Sequence, residues 1–229
     1  TFAAMLRAGD TACVMEVSSH ALTLHRADAI HWDVAAFTNL GHDHLDFHAD
    51  EEEYFLAKRA LFAAAAAEGA TLIACSDDPH GRRLAHEFSG VITVGLGPEA
   101  GTRATDLDAG LTSTRFRLDG AAFTVPLPGR FNVQNALIAI ATARALGHAD
   151  SEIAARLADA GGVPGRFQPV DAGQDFGVIV DYAHKPEAVA QALVAARAIA
   201  GEHRVLCVLG AGGDRDTAKR PVMAAAAAE

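Results

Sequence analysis

Basic residues are scarce in this 229-residue chain, which carries 19 lysine and arginine residues against 29 aspartate and glutamate residues. The formal net charge is therefore −10. Contacts to nucleic-acid phosphates require clustered lysine and arginine, so an acidic chain makes a poor general nucleic-acid binder. We expect no nucleic-acid partner.

Long apolar runs are missing as well, although 50% of the residues are hydrophobic. No run approaches the roughly 20 apolar residues that a membrane-spanning helix needs, and no segment resembles a signal peptide. We therefore expect no membrane partner. The apolar content suffices instead for the core of one large domain or two smaller ones.

Cysteine occurs only three times, at Cys13, Cys75 and Cys207, each within a short apolar run. An odd number of widely separated cysteines argues against disulfides and against zinc ligands. It favours reduced thiols in the core of a cytoplasmic protein.

An initiator methionine is also absent. The sequence begins at Thr1 and stops within an alanine-rich stretch, residues 224–228, that continues a helical pattern. We interpret the sequence as a fragment of a longer protein.

Short apolar runs alternate with helix-forming segments along the chain. Buried strands that alternate with helices indicate a parallel sheet flanked by helices, so the predicted fold class is α/β. A hairpin is expected to add an antiparallel edge. The predicted strands are residues 12–15, 33–37, 70–75 and 91–94, and the hairpin is 112–127. The predicted helices are 51–67, with Asp50 as its N-cap, 78–88, 131–146 and 151–160.

A glycine- and proline-containing segment, residues 161–165, provides the best domain boundary. We therefore predict two domains, residues 1–163 and residues 164–229. The second is expected to be the start of a Rossmann-like α/β domain. Its predicted elements are strands at 178–180 and 205–209, a helix at 186–200 and a glycine-rich loop at 210–213 that opens another helix.

Polar side chains follow the first two predicted strands. Glu16 and Ser18 come after the first strand, and Thr38 and Asn39 come after the second. In open parallel sheets, ligands bind beyond the carboxyl ends of the strands. Metal-assisted phosphoryl chemistry needs such groups to converge, which makes this end of the sheet a candidate site.

Each candidate residue also has an ordinary structural interpretation. Glu16 alone could be a solvated loop carboxylate. Lys58, about two turns into an alanine-rich helix, could be a surface lysine whose stem lies along the protein. The polar residues around His44 could form a turn that their own side chains cap. The joint pattern, and no single residue, favours a catalytic site.

The loop at residues 210–213 could bind an anion through its backbone N–H groups. The charged residues that follow it, Arg215 among them, suit a carboxylate or a zwitterion. An ordinary charged loop fits the sequence equally well.

Between residues 16 and 221, a series of motifs in order closely resembles the Mur ligases. Within that family the resemblance is to the branch that adds the third residue of the peptidoglycan peptide. The motifs are Met-Glu-Val-Ser-Ser-His, Thr-Asn-Leu with Asp-His-Leu-Asp-Phe-His, Ala-Lys, Gly-Arg-Phe-Asn-Val-Gln-Asn-Ala, Gly-Arg-Phe, Val-Asp-Tyr-Ala-His-Lys-Pro, and Gly-Gly-Asp-Arg-Asp with Lys-Arg-Pro.

The resemblance implies a three-domain fold, of which this chain would be the central domain and the start of the C-terminal one, with ATP bound between them. It implies that ATP phosphorylates the D-glutamate carboxylate of UDP-N-acetylmuramoyl-L-alanyl-D-glutamate. The amino group of a diamino acid, meso-diaminopimelate rather than L-lysine, then attacks the acyl phosphate. The implied cofactors are ATP and Mg²⁺, and a monomer is expected.

The resemblance also assigns roles to individual residues. The implied magnesium ligands are Glu16, His44 and a carbamate formed on Lys58, and the implied catalytic residues are Lys58 and His184. The implied substrate and ATP contacts are Ser18, Arg26, Thr38 and Asn39 for the UDP-muramoyl dipeptide, Asn135, Arg166, Asp181 and His184 for ATP, and Arg215 for the incoming amino acid.

The sequence departs from the family pattern in several places. The phosphate-binding Gly-Lys-Thr loop and the Asp-Asn-Pro-Arg motif are not present, and we interpret them as lying outside this fragment. Leu24, His42 and Lys185 replace the commoner Gln, Arg and Thr. On these grounds we expect the fragment by itself to be inactive.

Two alternative functions stay open at this point. A folylpolyglutamate synthase shares the ligase mechanism and parts of the central fold. A non-catalytic nucleotide-binding remnant would explain the missing phosphate loop.

Overall fold

The computed structural model describes residues 2–41, 44, 47–211 and 219–228. The chain divides into two compact units. The first unit comprises residues 1–33 and 42–70, and the second comprises residues 34–41 and 71–229.

The first unit contains three helices: α1 (Phe2–Ala8), α2 (Ser19–Thr23) and α3 (Glu51–Ala67). The sequence predicted α3 and its N-cap, and the structure confirms both. The Asp50 carboxylate accepts a hydrogen bond from the Glu53 amide, and Glu53 in turn accepts one from the Ala49 amide. These contacts satisfy N–H groups that the first helical turn leaves unpaired, and the acidic side chains suit the positive end of the helix dipole.

The second unit is built on a four-stranded parallel sheet, which confirms the predicted α/β class. Its strands are β1 (Val34–Phe37), β2 (Thr71–Cys75), β3 (Ile92–Gly95) and β4 (Thr102–Arg103), in the order β1-β2-β3-β4. Helix α4 (Pro79–Glu87) connects β2 to β3. The sequence predicted the first three strands and the helix but not β4.

The predicted hairpin forms, but it belongs to a separate antiparallel sheet rather than to the edge of the parallel one. The sheet contains β5 (Thr105–Ala109), β6 (Thr114–Leu118) and β7 (Ala121–Val125). Asp119 and Gly120 join β6 to β7 with φ of 50° and 85°. Two left-handed residues suit the twist of a tight hairpin.

Helices α5 (Arg130–Ala145) and α6 (Asp150–Ala158) complete the main core, as the sequence predicted. The core cluster combines fully buried side chains from α5, such as Leu137 and Ile140, with side chains from both sheets, such as Ile73 and Leu118. Burial of this apolar surface is the main stabilising term for the unit.

The remaining elements are two short strands and two helices. Strands β8 (Gln168–Pro169) and β9 (Ile179–Val180) pair antiparallel, and α7 (Pro186–Ala200) and α8 (Lys219–Ala228) follow. The predicted bounds of α7 are confirmed, because Pro186 supplies a strong helix start and Gly201 ends the helix with φ of 55°.

Two predicted strands are wrong. Residues 12–15 and 205–209 form no strand, and Val14 and Val208 are 98% and 100% exposed. An apolar run becomes a strand only where a neighbouring strand accepts its backbone hydrogen bonds. In the described part of the chain, neither run pairs with a sheet.

The same difference corrects the expectation for the cysteines. Cys75 is buried in β2, but Cys13 and Cys207 lie in the two unpaired runs and are exposed. All three thiols are free, as the sequence predicted.

Over the residues that the structure describes, no helix has both the length and the apolarity needed to cross a membrane.

Candidate active site

Lys58 is half-buried on α3, and its ammonium group is held by a backbone carbonyl. Nζ donates a hydrogen bond to the Val17 oxygen over 3.2 Å. Burial lowers the pKa of Lys58, and the negative charge of Glu16 partly offsets this effect. Lys58 is therefore not an ordinary surface lysine, and its neutral form is more accessible than usual.

The Tyr54 ring lies near the Lys58 amine and links it to His44. Nζ lies 5.9 Å from the centroid of the Tyr54 ring, one helical turn earlier. The His44 ring meets the Tyr54 ring edge to face, with centroids 5.5 Å apart. His44 also has a left-handed backbone, with φ of 59°.

His48 is a buried histidine that the sequence analysis did not single out. It is 2% exposed, and its Nε2 lies 2.9 Å from the Ser19 hydroxyl oxygen. Its ring stacks on Tyr54 with centroids 5.3 Å apart and an interplanar angle of 19°. Within the described ranges, its Nδ1 has no hydrogen-bond partner. Its position two residues before the Asp50 helix cap, where side chains can fold back over the first turn, was the available signal.

The side chains of Glu16, His44 and Lys58 suit Mg²⁺ only if Lys58 is modified. Glu16 supplies the oxygen ligands that this cation prefers, whereas an ammonium group would repel it. Among the residues that the structure describes, no three histidine, cysteine, aspartate or glutamate side chains are grouped closely enough to hold a metal ion. A carbamate on Lys58 would add two further oxygens of the suitable kind.

Ser18 and Arg26, two of the four residues implied to contact the UDP-muramoyl dipeptide, also lie in the first unit. Ser18 caps α2, where its hydroxyl accepts a hydrogen bond of 3.2 Å from the Ala21 amide. The Arg26 side chain is exposed.

Thr38 and Asn39 are exposed directly after β1 in the second unit. The next residue, Leu40, donates its amide to the Asp78 carboxylate over 3.2 Å. Asp78 also caps α4 by accepting the His80 amide over 2.8 Å. This aspartate, which the sequence analysis named only as a helix boundary, fixes the segment that carries Thr38 and Asn39.

Asp77, at the end of β2, is a second aspartate that sequence reasoning missed. Its carboxylate accepts hydrogen bonds from the Leu96 and Gly97 amides, at distances down to 2.8 Å, and from Gln134 Nε2 at 2.6 Å. Burial would raise the pKa of Asp77, but these bonds and the nearby charge of Arg130 hold it below its usual value. Gln134 precedes Asn135, so Asp77 holds the helical turn that carries one predicted ATP contact.

Three of the four predicted ATP residues lie together. The guanidinium carbon of Arg166 lies 5.5 Å from the centroid of the Tyr182 ring. The centroid of the His184 ring lies 5.0 Å from the same point. The Asp181 carboxylate accepts hydrogen bonds of 2.7 Å from the Phe167 and Ala183 amides. Asp181 therefore ties the loop of Arg166 to the loop of His184.

Asn135, the fourth residue, is exposed on α5. Phe131, one turn earlier on that helix, meets the Phe167 ring edge to face at 5.4 Å. Phe167 is 1% exposed and has an unusual φ of 43°. The aromatic pair thus links the start of α5 to the loop of Arg166.

Arg215, the predicted contact to the amino-acid substrate, lies outside the described residues, as does most of the glycine-rich loop before it.

Two family models match the chain. The Mur ligase middle domain matches residues 1–143, and the Mur ligase glutamate ligase domain matches residues 165–229.

Curated relatives match almost the whole chain. A UDP-N-acetylmuramoyl-L-alanyl-D-glutamate–2,6-diaminopimelate ligase of Solibacter usitatus is 44% identical over 234 residues, covering 100% of this chain and 47% of the relative. The ligase of the same name from Corynebacterium glutamicum is 46% identical over 232 residues, covering 97% of this chain and 44% of the relative. The chain thus spans about half the length of the curated relatives that it matches.

Solved structures show the same relationship. A structure of a UDP-N-acetylmuramoyl-L-alanyl-D-glutamate–2,6-diaminopimelate ligase aligns with a TM-score of 0.67 and 32% identity, covering 93% of this chain and 45% of that one. The MurF ligase of Thermotoga maritima in complex with ADP aligns with a TM-score of 0.61 and 26% identity, covering 75% and 40%. With one family model matching more than half of its residues, this chain belongs to the Mur ligase family.

Proposed function

We propose that this chain is part of an ATP-dependent ligase that adds meso-diaminopimelate to UDP-N-acetylmuramoyl-L-alanyl-D-glutamate in peptidoglycan synthesis. Two relatives that are 44% and 46% identical are 2,6-diaminopimelate ligases by name, which supports the reaction and the amino acid. We further propose that the enzyme acts in the cytoplasm as a monomer whose only partners are its small-molecule substrates. The proposed domains are residues 1–163 and 164–229, close to the ranges that the two family models match.

The half-buried Lys58 is the observation that carries this proposal. A carbamate forms when a neutral amine adds to CO₂: the new C–N bond forms, one C=O π bond opens, and a proton leaves to solvent. The lowered pKa of Lys58 favours the neutral amine that this step requires. The product is an anion in place of a cation.

Glu16, His44 and the carbamate of Lys58 would hold the cation in this proposal. When bound, Mg²⁺ neutralises charge on the phosphates. Glu16 lies near enough to Lys58 to affect its pKa, and His44 reaches the same region through the Tyr54 ring. Ser18 and Arg26 in the first unit, and Thr38 and Asn39 in the second, are the residues that we propose as individual contacts to the UDP-muramoyl dipeptide.

The residues around Tyr182 suit the ATP side of the reaction. The Arg166 guanidinium provides positive charge on an exposed ring surface. Nδ1 of His184 lies 3.0 Å from the Tyr182 carbonyl, so Nδ1 carries the proton and Nε2 is the nitrogen that faces a ligand. Asn135 would supply an amide contact, and Arg215 would hold the carboxylate of the incoming amino acid.

Replacement of Lys58 tests the proposal in a protein of the relatives' length that contains these 229 residues. Lys58→Ala should lower phosphate release in the presence of the muramoyl dipeptide and diaminopimelate by at least about a hundredfold, a loss typical of a catalytic group. A short carboxylic acid should restore part of this activity, and Lys58→Glu should retain more activity than Lys58→Ala. Equal activity of Lys58→Ala and the unsubstituted enzyme would remove the carbamate from the mechanism.

A second experiment tests the proposed substrates. The unsubstituted enzyme should turn over the muramoyl dipeptide with diaminopimelate faster than with L-lysine. Turnover of folate with glutamate instead would contradict the proposed substrate class and favour a folylpolyglutamate synthase.

A further inference from the structure

Tyr54 lies between the His44 and His48 rings in the first unit, and it is near two of the three implied metal-binding side chains, Lys58 and His44. It is 6% exposed. Its ring lies 5.9 Å from Lys58 Nζ and 5.5 Å from the His44 centroid. No role for this tyrosine follows from the carbamate chemistry itself, which involves only the lysine amine and CO₂.

A contact with His48 holds the orientation of the Tyr54 ring. His48 stacks nearly parallel on it, at 5.3 Å and 19°, and His48 is in turn anchored to the Ser19 hydroxyl at 2.9 Å. Ser19 and His48 are both almost fully buried. A continuous series of contacts therefore runs from α2 through two rings to the side chain of Lys58.

Lys58 needs such a support because a lysine side chain has four rotatable bonds and readily samples many rotamers. One hydrogen bond to the Val17 carbonyl holds the end of the chain but does not restrict its stem. Residues four apart on a helix are neighbours, so the Tyr54 ring lies beside that stem. A bulky ring at this position reduces the number of conformations that are open to the stem.

Charge attraction adds little to this contact. A distance of 5.9 Å is at the outer limit, about 6 Å, at which a ring face attracts a cation appreciably. The contribution of the ring is therefore steric, and phenylalanine should reproduce it.

We propose that Tyr54 is a positioning residue that holds Lys58 against the Val17 carbonyl and keeps the His44 ring beside it. This inference rests on the proposed function only in that Lys58 is taken to be the carbamate-bearing lysine. The position of the side chain can be measured without any ligand.

Lysine occurs only at positions 58, 185 and 219, so NMR of the chain labelled with [¹³C]lysine gives few and separable signals. In the unsubstituted chain, Tyr54 ring protons should show nuclear Overhauser contacts to the Lys58 stem. Their absence would overturn the proposal without any variant.

Tyr54→Leu should lower the order parameter of the Lys58 Cε to values below about 0.6, the range of flexible groups, while Tyr54→Phe leaves it unchanged. The Lys185 signal, from the other compact unit, is the internal reference for general loosening of the fold. An unchanged Lys58 order parameter in folded Tyr54→Leu would contradict the proposal, as would a loss shared equally by Lys185.

Carbamate formation is a second and separate measurement. With ¹³C-bicarbonate, the Lys58 carbamate signal should be several-fold weaker in Tyr54→Leu than in Tyr54→Phe. If the unsubstituted chain forms no carbamate while the order parameters change as expected, the carbamate of the proposed function fails and the positioning role of Tyr54 stands. In the complete enzyme, Tyr54→Leu should reduce kcat by about 10- to 100-fold with little change in the KM for ATP, because a displaced group slows chemistry more than binding.

Discussion

Gln134 donates a hydrogen bond of 2.6 Å from Nε2 to the Asp77 carboxylate, across 57 residues of sequence. The same carboxylate accepts the amides of Leu96 and Gly97 after β3. One side chain at the end of β2 therefore fixes the next strand end and the first turns of α5.

Asp77→Asn should destabilise the chain by about 1.5–3 kcal/mol at pH 7, the usual loss for hydrogen bonds to a charged group. An amide keeps one acceptor oxygen but places an NH₂ group against donors. Urea unfolding measures the difference, and Asp175→Asn, at an exposed aspartate, provides a control that should change stability by less than about 0.5 kcal/mol.

The stability difference between Asp77→Asn and the unsubstituted chain should also depend on pH. The pKa of Asp77 is lowered in the folded state. The charged carboxylate therefore contributes its full stabilisation above the ordinary aspartate pKa of about 3.9, and this stabilisation is lost as the pH falls through the lower folded pKa. The difference in free energy of unfolding between Asp77→Asn and the unsubstituted chain should be constant from about pH 5 to 8 and should decrease below about pH 4. A gap that stays constant down to pH 2 would show that the charge of Asp77 contributes nothing.

Gly81 on α4 packs directly against the end of β2. A Cβ atom at this position would clash with the Cys75 carbonyl oxygen. Gly81→Ala should therefore force the helix away from the strand and cost about 1–3 kcal/mol, a typical penalty for overpacking.

Gly161→Ala is the matched control, because a Cβ atom there would meet nothing within 4 Å. It should change stability by less than about 0.5 kcal/mol. Thermal or urea unfolding measures the stability of both variants. Equal stabilities would show that α4 can move away from β2 without destabilising the chain.

Residues 165–229 should be the less stable part of the chain. Helices α5 and α7 have similar lengths of 16 and 15 residues, but α5 buries six residues and α7 only two. Local opening is easier where fewer apolar side chains are buried. Hydrogen exchange should therefore find α7 amides less protected than α5 amides by at least about tenfold, and equal protection would refute the expectation.

Local signals made much of the fold predictable. The Asp50 cap and the proline that opens α7 act within a few residues of sequence, so the positions of both helices followed from it. The runs around Val14 and Val208 have the composition of strands but no strand beside them, and composition cannot reveal that.

The candidate site was predictable only where a motif marked it. The residue pattern and the family resemblance pointed to Lys58, and the resemblance pointed to the residues around Tyr182, whereas neither gave a role to Asp77 or His48. Their roles arise from contacts with Gln134 and Ser19, which are 57 and 29 residues away. Contacts at such separations leave no periodic or spacing signal in a single sequence.

The left-handed backbone of Phe167 implies that the loop of Arg166 stores strain. A bulky residue at φ of 43° costs about 1–3 kcal/mol, which the Asp181 hydrogen bond and the packing against Phe131 must offset. If either contact is removed, we expect the backbone to relax toward an ordinary conformation and to move the adjacent Arg166 guanidinium away from Tyr182. The geometry around Tyr182 therefore depends on both the Asp181 hydrogen bond and the packing of Phe167 against Phe131.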